Sequence, residues 1–242
     1  MLQEGLTLSE KVGSEVMHHR FLNSLGWLHM ELMDLDRALD LNREGADGAK
    51  KRGDPETIAN AELNLGDVFL AKGNLSLARE YYDGVDRLVK NPATSDWMKW
   101  RYSTHLFSSL GELWLACGDP AKSRGFAEQC LELAKRTDSR KYLVKAYRLK
   151  GEIAFIRQQW DEAESMLRQG LSIAEAIGNP TQLWKTHHAL GQLHSKTKKV
   201  GEAQRAYRAA HDILDRMKAN VQNPRLHASL ESSPLIRHIY EL

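Results

Sequence analysis

Five glycines recur at a nearly fixed interval along the chain. They are Gly26, Gly66, Gly111, Gly151 and Gly191, separated by 40, 45, 40 and 40 residues. Twelve residues after each stands a small residue: Ala38, Ala78, Ser123, Ala163 and Ala203. A third series, Gly5, Gly45, Val85, Cys130, Gly170 and Ala210, keeps the same beat. Self-similarity at a fixed period marks a repeat architecture. Each repeat is then one supersecondary element that buries its apolar face only against its neighbours. The one irregular interval falls at Asn91-Pro92-Ala93-Thr94-Ser95 and reads as a five-residue loop insertion.

The repeat is helical. In AELNLGDVFLAKGNLSLAREYYDGVDRLV the apolar residues return three and four apart, the spacing of an amphipathic helix. No alternating β-branched run suggests a strand. Each of the six prolines follows Asp, Asn or Ser: Asp54-Pro55, Asn91-Pro92, Asp119-Pro120, Asn179-Pro180, Asn223-Pro224 and Ser233-Pro234. Short polar side chains accept hydrogen bonds from the free amides of a helix start, and proline suits the first helical position. All six are therefore expected to start helices. The pattern predicts first helices over Ser14–Met33, Pro55–Lys72, Asp96–Cys117, Arg140–Arg157 and Pro180–Thr197. It predicts second helices over Leu35–Arg52, Leu75–Val89, Pro120–Arg136, Trp160–Ala176 and Val200–Ala219. The glycine of each first helix and the small residue of each second helix mark where the pair must approach closely. The expected fold is all-α: an α-solenoid of about five helix-turn-helix repeats, 14–53, 54–93, 94–138, 139–178 and 179–219. Residues 220–242 break the beat and read as a C-terminal cap. Residues 1–13 mirror 166–178 and read as the second helix of a preceding, truncated repeat.

Composition narrows the function. Of 242 residues, 42% are hydrophobic and 27% charged, as in ordinary folded proteins. A net charge of +2 gives no global field toward nucleic acid or anionic membrane. Two cysteines, Cys117 and Cys130, argue against a disulfide scaffold and point to a cytoplasmic protein. No apolar run reaches the ~18 residues of a membrane span. The start, MLQEGLTLSEKVGSE, lacks the basic and apolar regions of a signal peptide. Neither a phosphate-binding GxxxxGK[ST] or GxGxxG loop nor an HExxH zinc motif is present. His187, His188 and His194 lack that four-residue spacing, so metal, cofactor and catalytic residues are all expected to be none. The basic run through Lys135, Arg136, Arg140, Lys141, Lys145, Arg148 and Lys150 reads first as a solvated face. A nucleic-acid-binding α-solenoid is the weaker alternative. The tryptophans are expected in the core, except Trp27.

The repeat resembles the tetratricopeptide repeat, whose frame sets Leu-Gly and an aromatic in the first helix, then Ala, an aromatic and Ala in the second. Leu65-Gly66, Phe69, Ala78 and Tyr82 fit it, as do Leu190-Gly191, Ala203, Tyr207 and Ala210. Leu110-Gly111 and Trp114 keep its first half, while His29, Lys150 and Ala154 depart from it. The 40-residue period is similar to that of polarity adaptors and of sensor arms in bacterial signalling ATPases and transcription activators. The resemblance implies a protein-interaction module whose concave groove, lined by first helices, holds a partner peptide or protein. It places in that groove Arg20, Asn23, Trp27, Asn60, Asp67, His105, Glu112, Lys145, Arg148, Glu152, Phe155, Lys185, His188 and Gln192. The basic members point to a partner with acidic residues. The implied setting is the C-terminal sensor part of a larger signalling protein, the alternative a stand-alone scaffold or adaptor.

Overall fold

The computed structural model describes residues 1–241, which form thirteen helices and no strand. In chain order they are α1 (Leu2–Lys11), α2 (Glu15–Glu31), α3 (Leu35–Arg52), α4 (Pro55–Ala71), α5 (Leu75–Lys90), α6 (Asp96–Ala116) and α7 (Pro120–Arg136). There follow α8 (Arg140–Ile156), α9 (Trp160–Ile177), α10 (Pro180–Lys196), α11 (Val200–Asn220), α12 (Pro224–Ser232) and α13 (Pro234–Tyr240). The helices from α2 to α11 fall as five pairs within two residues of the predicted bounds. Five prolines stand at helix starts, where Asp54, Asp119, Asn179, Asn223 and Ser233 accept bonds from amides of the first turn. Pro92 does not: it lies in the turn between α5 and α6. The insertion lengthens α6 instead. This helix begins 15 residues before Gly111, whereas α2, α4, α8 and α10 each begin 11 residues before their glycine.

The chain divides into two compact units, residues 1–109 and 110–242, with the boundary inside α6. In the first unit each helix from α1 to α5 packs on its successor, and α2 also meets α4. Leu2 and Leu6 of α1 close over Leu22, Leu25 and Leu41. In the second unit the same succession runs from α7 to α11, and α8 also meets α10. Such stacking of neighbours is the α-solenoid arrangement. α13 packs on α11 and buries Ile236 and Ile239, while Leu230 of α12 is buried as well.

The helices of a pair come close at the expected places, with the Ala163 carbonyl near Gly151 and the Ser123 hydroxyl donating to the Gly111 carbonyl at 2.8 Å, but other side chains fill most of the space over the glycines. A Cβ on Gly66 would strike the Tyr82 ring, and one on Gly191 the Tyr207 ring. Leu167 stands in the same relation to Gly151, and Asn42 to Gly26. Each of these residues lies four after the small one, one helical turn further along. At Ser123 the residue four on is Ala127, too small to fill the space, and Leu149 of α8 covers Gly111 instead.

The turns keep the beat as well. Between first and second helices a left-handed residue stands at Met33, Gly73, Gly118, Gln158 and Lys198. Their spacing is again 40, 45, 40 and 40. Three of the five are not glycine, although the left-handed region costs an ordinary residue about 1–2 kcal/mol.

Charge ties α9 to α11. Glu164 accepts Lys199 Nζ at 2.9 Å and Arg168 Nη2 at 2.7 Å, and His194 Nε2 lies 3.5 Å from Glu202. The Lys199 and Arg168 hydrogen bonds hold the Glu164 carboxyl down to about 2.

Gly66→Leu should cost about 3 kcal/mol or more in chemical denaturation, because the Tyr82 ring cannot move without opening the core. Gln158→Gly should stabilise by roughly 0.5–1 kcal/mol, the relieved strain exceeding glycine's entropic cost. Glu164 binds its proton more weakly folded than at its ordinary 4.5. Its stabilisation is therefore complete above that value and fades as pH falls through it toward about 2. Glu164→Gln should lose about 1 kcal/mol at neutral pH, since its partners are half exposed, and should match wild type near pH ~2 in thermal melts.

Candidate protein-binding surface

A polar row runs along the first helices of each unit. In the first unit it joins α2, α4 and α6. Arg20 pairs with Glu56 of α4. Asp67 accepts from the Tyr82 hydroxyl at 2.7 Å and from His105 Nε2 at 2.7 Å. Burial pushes the Tyr102 phenol up to about 12, with the nearby Glu56 carboxylate adding to the rise. Asn60 is half-buried, as is Trp27, whose Nε1 donates to Glu31 at 3.1 Å.

Asn23 is fully buried and belongs to the interior, which removes it from any outward face. Its Nδ2 donates to the Thr57 carbonyl at 3.1 Å. Asn64 in turn donates to the Asn23 carbonyl at 3.1 Å and to Asn42 Oδ1 at 2.9 Å. These amides tie α2 to α4 through backbone carbonyls and reach α3 through the Asn42 side chain, while Asn23 Oδ1 itself is left without a hydrogen-bond donor among the described residues. Buried amides must find such partners, because an unmatched polar group in the interior costs about 1–3 kcal/mol.

In the second unit the row joins the end of α6 to α8 and α10. Arg148 is buried, its side chain only 7% exposed, so it too is interior rather than a contact. Its guanidinium donates to Gln182 Oε1 at 2.7 Å and to Glu112 Oε1 at 3.3 Å, and Glu152 lies at 3.5 Å. Lys145 Nζ stands 3.5 Å from the same Glu112 oxygen and is 12% exposed. The carboxylates are the more open members, at 30% for Glu112 and 36% for Glu152. The protein packed around Glu152 pushes its carboxyl up, and Arg148 opposes that rise. Lys185 Nζ lies 5.4 Å from the Trp184 ring centre. Phe155 meets Trp160 edge-on at 5.7 Å and packs on the core of α8 to α11. His188 sits 5.9 Å from the Tyr207 ring, and burial pushes it down to about 4, helped by His238 and His211. Gln192 is exposed.

The structure thus joins Asp67 to His105, and Lys145 and Arg148 to Glu112 and Glu152. Glu56 and Gln182 lie outside the predicted row, and of the two Glu56 carries a signal in the sequence spacing. Arg20–Glu56 and Glu112–Arg148 both span 36 residues, one turn short of the repeat beat. Trp97 and Trp100 depart from the expected core placement, at 44% and 41% exposed. Cys117 is exposed too, while burial pushes the Cys130 thiol up to about 12 and leaves no thiolate for chemistry. Folding also gathers Glu164, His194 and Glu202, whose potential ligand atoms lie within 4.8 Å of one another. Glu164 is already committed to Lys199 and Arg168, and the buried His194 Nδ1 has no partner to orient the ring. A metal-binding histidine ordinarily has that second contact, so the group reads as an ion network.

No helix among the described residues is long and apolar enough to cross a membrane. Comparison with curated protein sequences gives no match. Among solved structures the fold is similar to BtubC (BKLC) from P. vanneervenii, with 17% identity over 92% of each chain and a TM-score of 0.60. It is similar to the apo form of RapI, with 13% identity over 92% of this chain and 80% of that one, at 0.59. A putative kinesin light chain of Podosopora anserina with TPR-like repeats matches 83% of this chain and 96% of its own, with 15% identity and a TM-score of 0.50. Residues 142–216 match the family described as Tetratricopeptide repeat. That match falls in the second unit, and together with the helix pairs, the glycine frame and these neighbours it shows a tetratricopeptide-like repeat fold.

Proposed function

We propose that the chain is a binding module that holds a segment of another protein against its first helices. Tetratricopeptide-like folds generally mediate protein–protein interaction and are typically non-enzymatic. The observation supporting the reading is the fixed charge register Glu112, Lys145 and Glu152 in the second unit, braced by the buried Arg148, with Lys185 beside the Trp184 ring on the next first helix. Residues held in place by internal ion pairs present a pattern without a large ordering cost on binding. The partner segment carries acidic groups for Lys145 and Lys185 and donors for Glu112 and Glu152. In the first unit Arg20, Asn60, Asp67, His105 and the half-buried Trp27 form the corresponding row. Arg148 and Asn23 act as supports, and Phe155 acts mainly as packing. The setting we propose, on repeat length alone, is the regulatory arm of a larger signalling protein.

A photocrosslinking residue at Gln192 should capture the natural partner, while one at the exposed Arg208 on α11 should not. Lys145→Glu/Lys185→Glu should weaken binding by several-fold, mostly through association rate. Trp27→Ala should cost about 2 kcal/mol in titration calorimetry if that ring is a central anchor. Capture from Arg208, with Gln192 silent and both variants binding normally, would put the working surface on the second helices.

A further inference from the structure

We propose that the insertion before α6 builds a second docking site, for a short acidic peptide that seats an apolar side chain in a cavity beside Met98. This site lies within the first unit and does not rest on the first-helix reading above. The insertion is the one place where the 40-residue beat fails, and its structural result is an added turn on α6 and an open cavity. The cavity has a volume of about 610 Å³ and is lined by Pro55, Arg87, Leu88, Ala93, Thr94 and Met98 among others. That is the size of an ordinary ligand pocket; Pro55, Leu88, Ala93 and Met98 form its apolar wall, and Arg87, Asn91, Thr94 and Ser95 its polar one. The turn supplying Met98 also carries Trp97, 44% exposed, and Trp100 follows at 41%. A lone exposed apolar residue means little. Two tryptophans within four residues, on the turn that walls an apolar cavity, form a patch of the kind that anchors partners.

Charge selects the occupant. On α5 Asp86 takes Lys90 at 2.6 Å, and on α6 Asp96 takes Lys99 at 3.4 Å. Arg87 at the cavity wall and Arg101 on α6 meet no carboxylate among the described residues. Neither arginine forms an ion pair among the described residues, Arg101 instead lying 5.8 Å from the Tyr102 ring centre, so the complement of this apolar recess is acidic with one apolar anchor. A single-stranded nucleic acid fits less well, because it calls for a run of cations tracking a backbone rather than a pocket with an apolar wall.

The test uses a phage-displayed dodecapeptide library, depleted on the Arg87→Glu/Trp97→Ala chain and then selected on the wild-type chain. Arg87 and Trp97 are both exposed, and circular dichroism should show the variant as helical as wild type; Arg101→Glu serves as a second variant. Enriched peptides should carry acidic residues around one aliphatic or aromatic residue. By fluorescence anisotropy they should bind wild type at least tenfold more tightly than Arg87→Glu, Arg101→Glu or Trp97→Ala. Added salt should weaken them, and Lys145→Glu/Lys185→Glu should leave them unchanged. No enrichment after depletion, enrichment of basic or uncharged peptides, or equal binding to the variants overturns the proposal. So does a fluorescein-labelled oligothymidine that binds wild type and is lost in Arg87→Glu.

Discussion

Everything in this fold depends on how closely the two helices of a pair approach. The first-helix glycine is a socket, and a side chain one turn beyond the small residue of the second helix fills it. Tyr82 and Tyr207 fill it with rings, Leu167 with an aliphatic group and Asn42 with an amide. Gly111 is filled from the following first helix by Leu149. The requirement is therefore on occupied volume and not on residue type, as close packing demands. The frame can drift in sequence while the distance between helices stays the same.

That distance sets the register of the first helices, and the polar rows follow from it. Once α8 lies where α10 and the end of α6 can reach it, Arg148 has two acceptors and a second carboxylate nearby. Removing one partner from such a buried cluster leaves an uncompensated charge, which is costly, although the whole cluster contributes little net stability. Its physical effect is specificity of position: it fixes where Glu112 and Glu152 stand. The amides of Asn23, Asn42 and Asn64 do the same in the other unit without charge. The insertion obeys the same constraint. Extra residues that do not disturb a socket must go to a helix end, and four of them appear as one more turn of α6, with Trp97 exposed on that turn and Trp100 exposed just after it.

The sequence by itself determined the repeat, the ten paired helices and their order. Those features rest on local physics: a 3.6-residue apolar periodicity, capping residues before proline, and a glycine beat. Pro92 shows the edge of that reasoning, since an Asn-Pro pair suits a turn as well as a helix start. The left-handed residues Met33, Gln158 and Lys198 show another, because tertiary packing overrides their local preference. The tertiary structure alone decided burial. A frame places Asn23 and Arg148 on the first helices, but whether a polar side chain faces out or finds a buried partner depends on residues ~34–41 positions away. It decided the same for Trp97, left outside by the added turn, and for Glu164, His194 and Glu202, brought together from separate helices. Periodicity fixes which face of a helix is apolar; only the packed neighbours fix what each polar group on that face can reach.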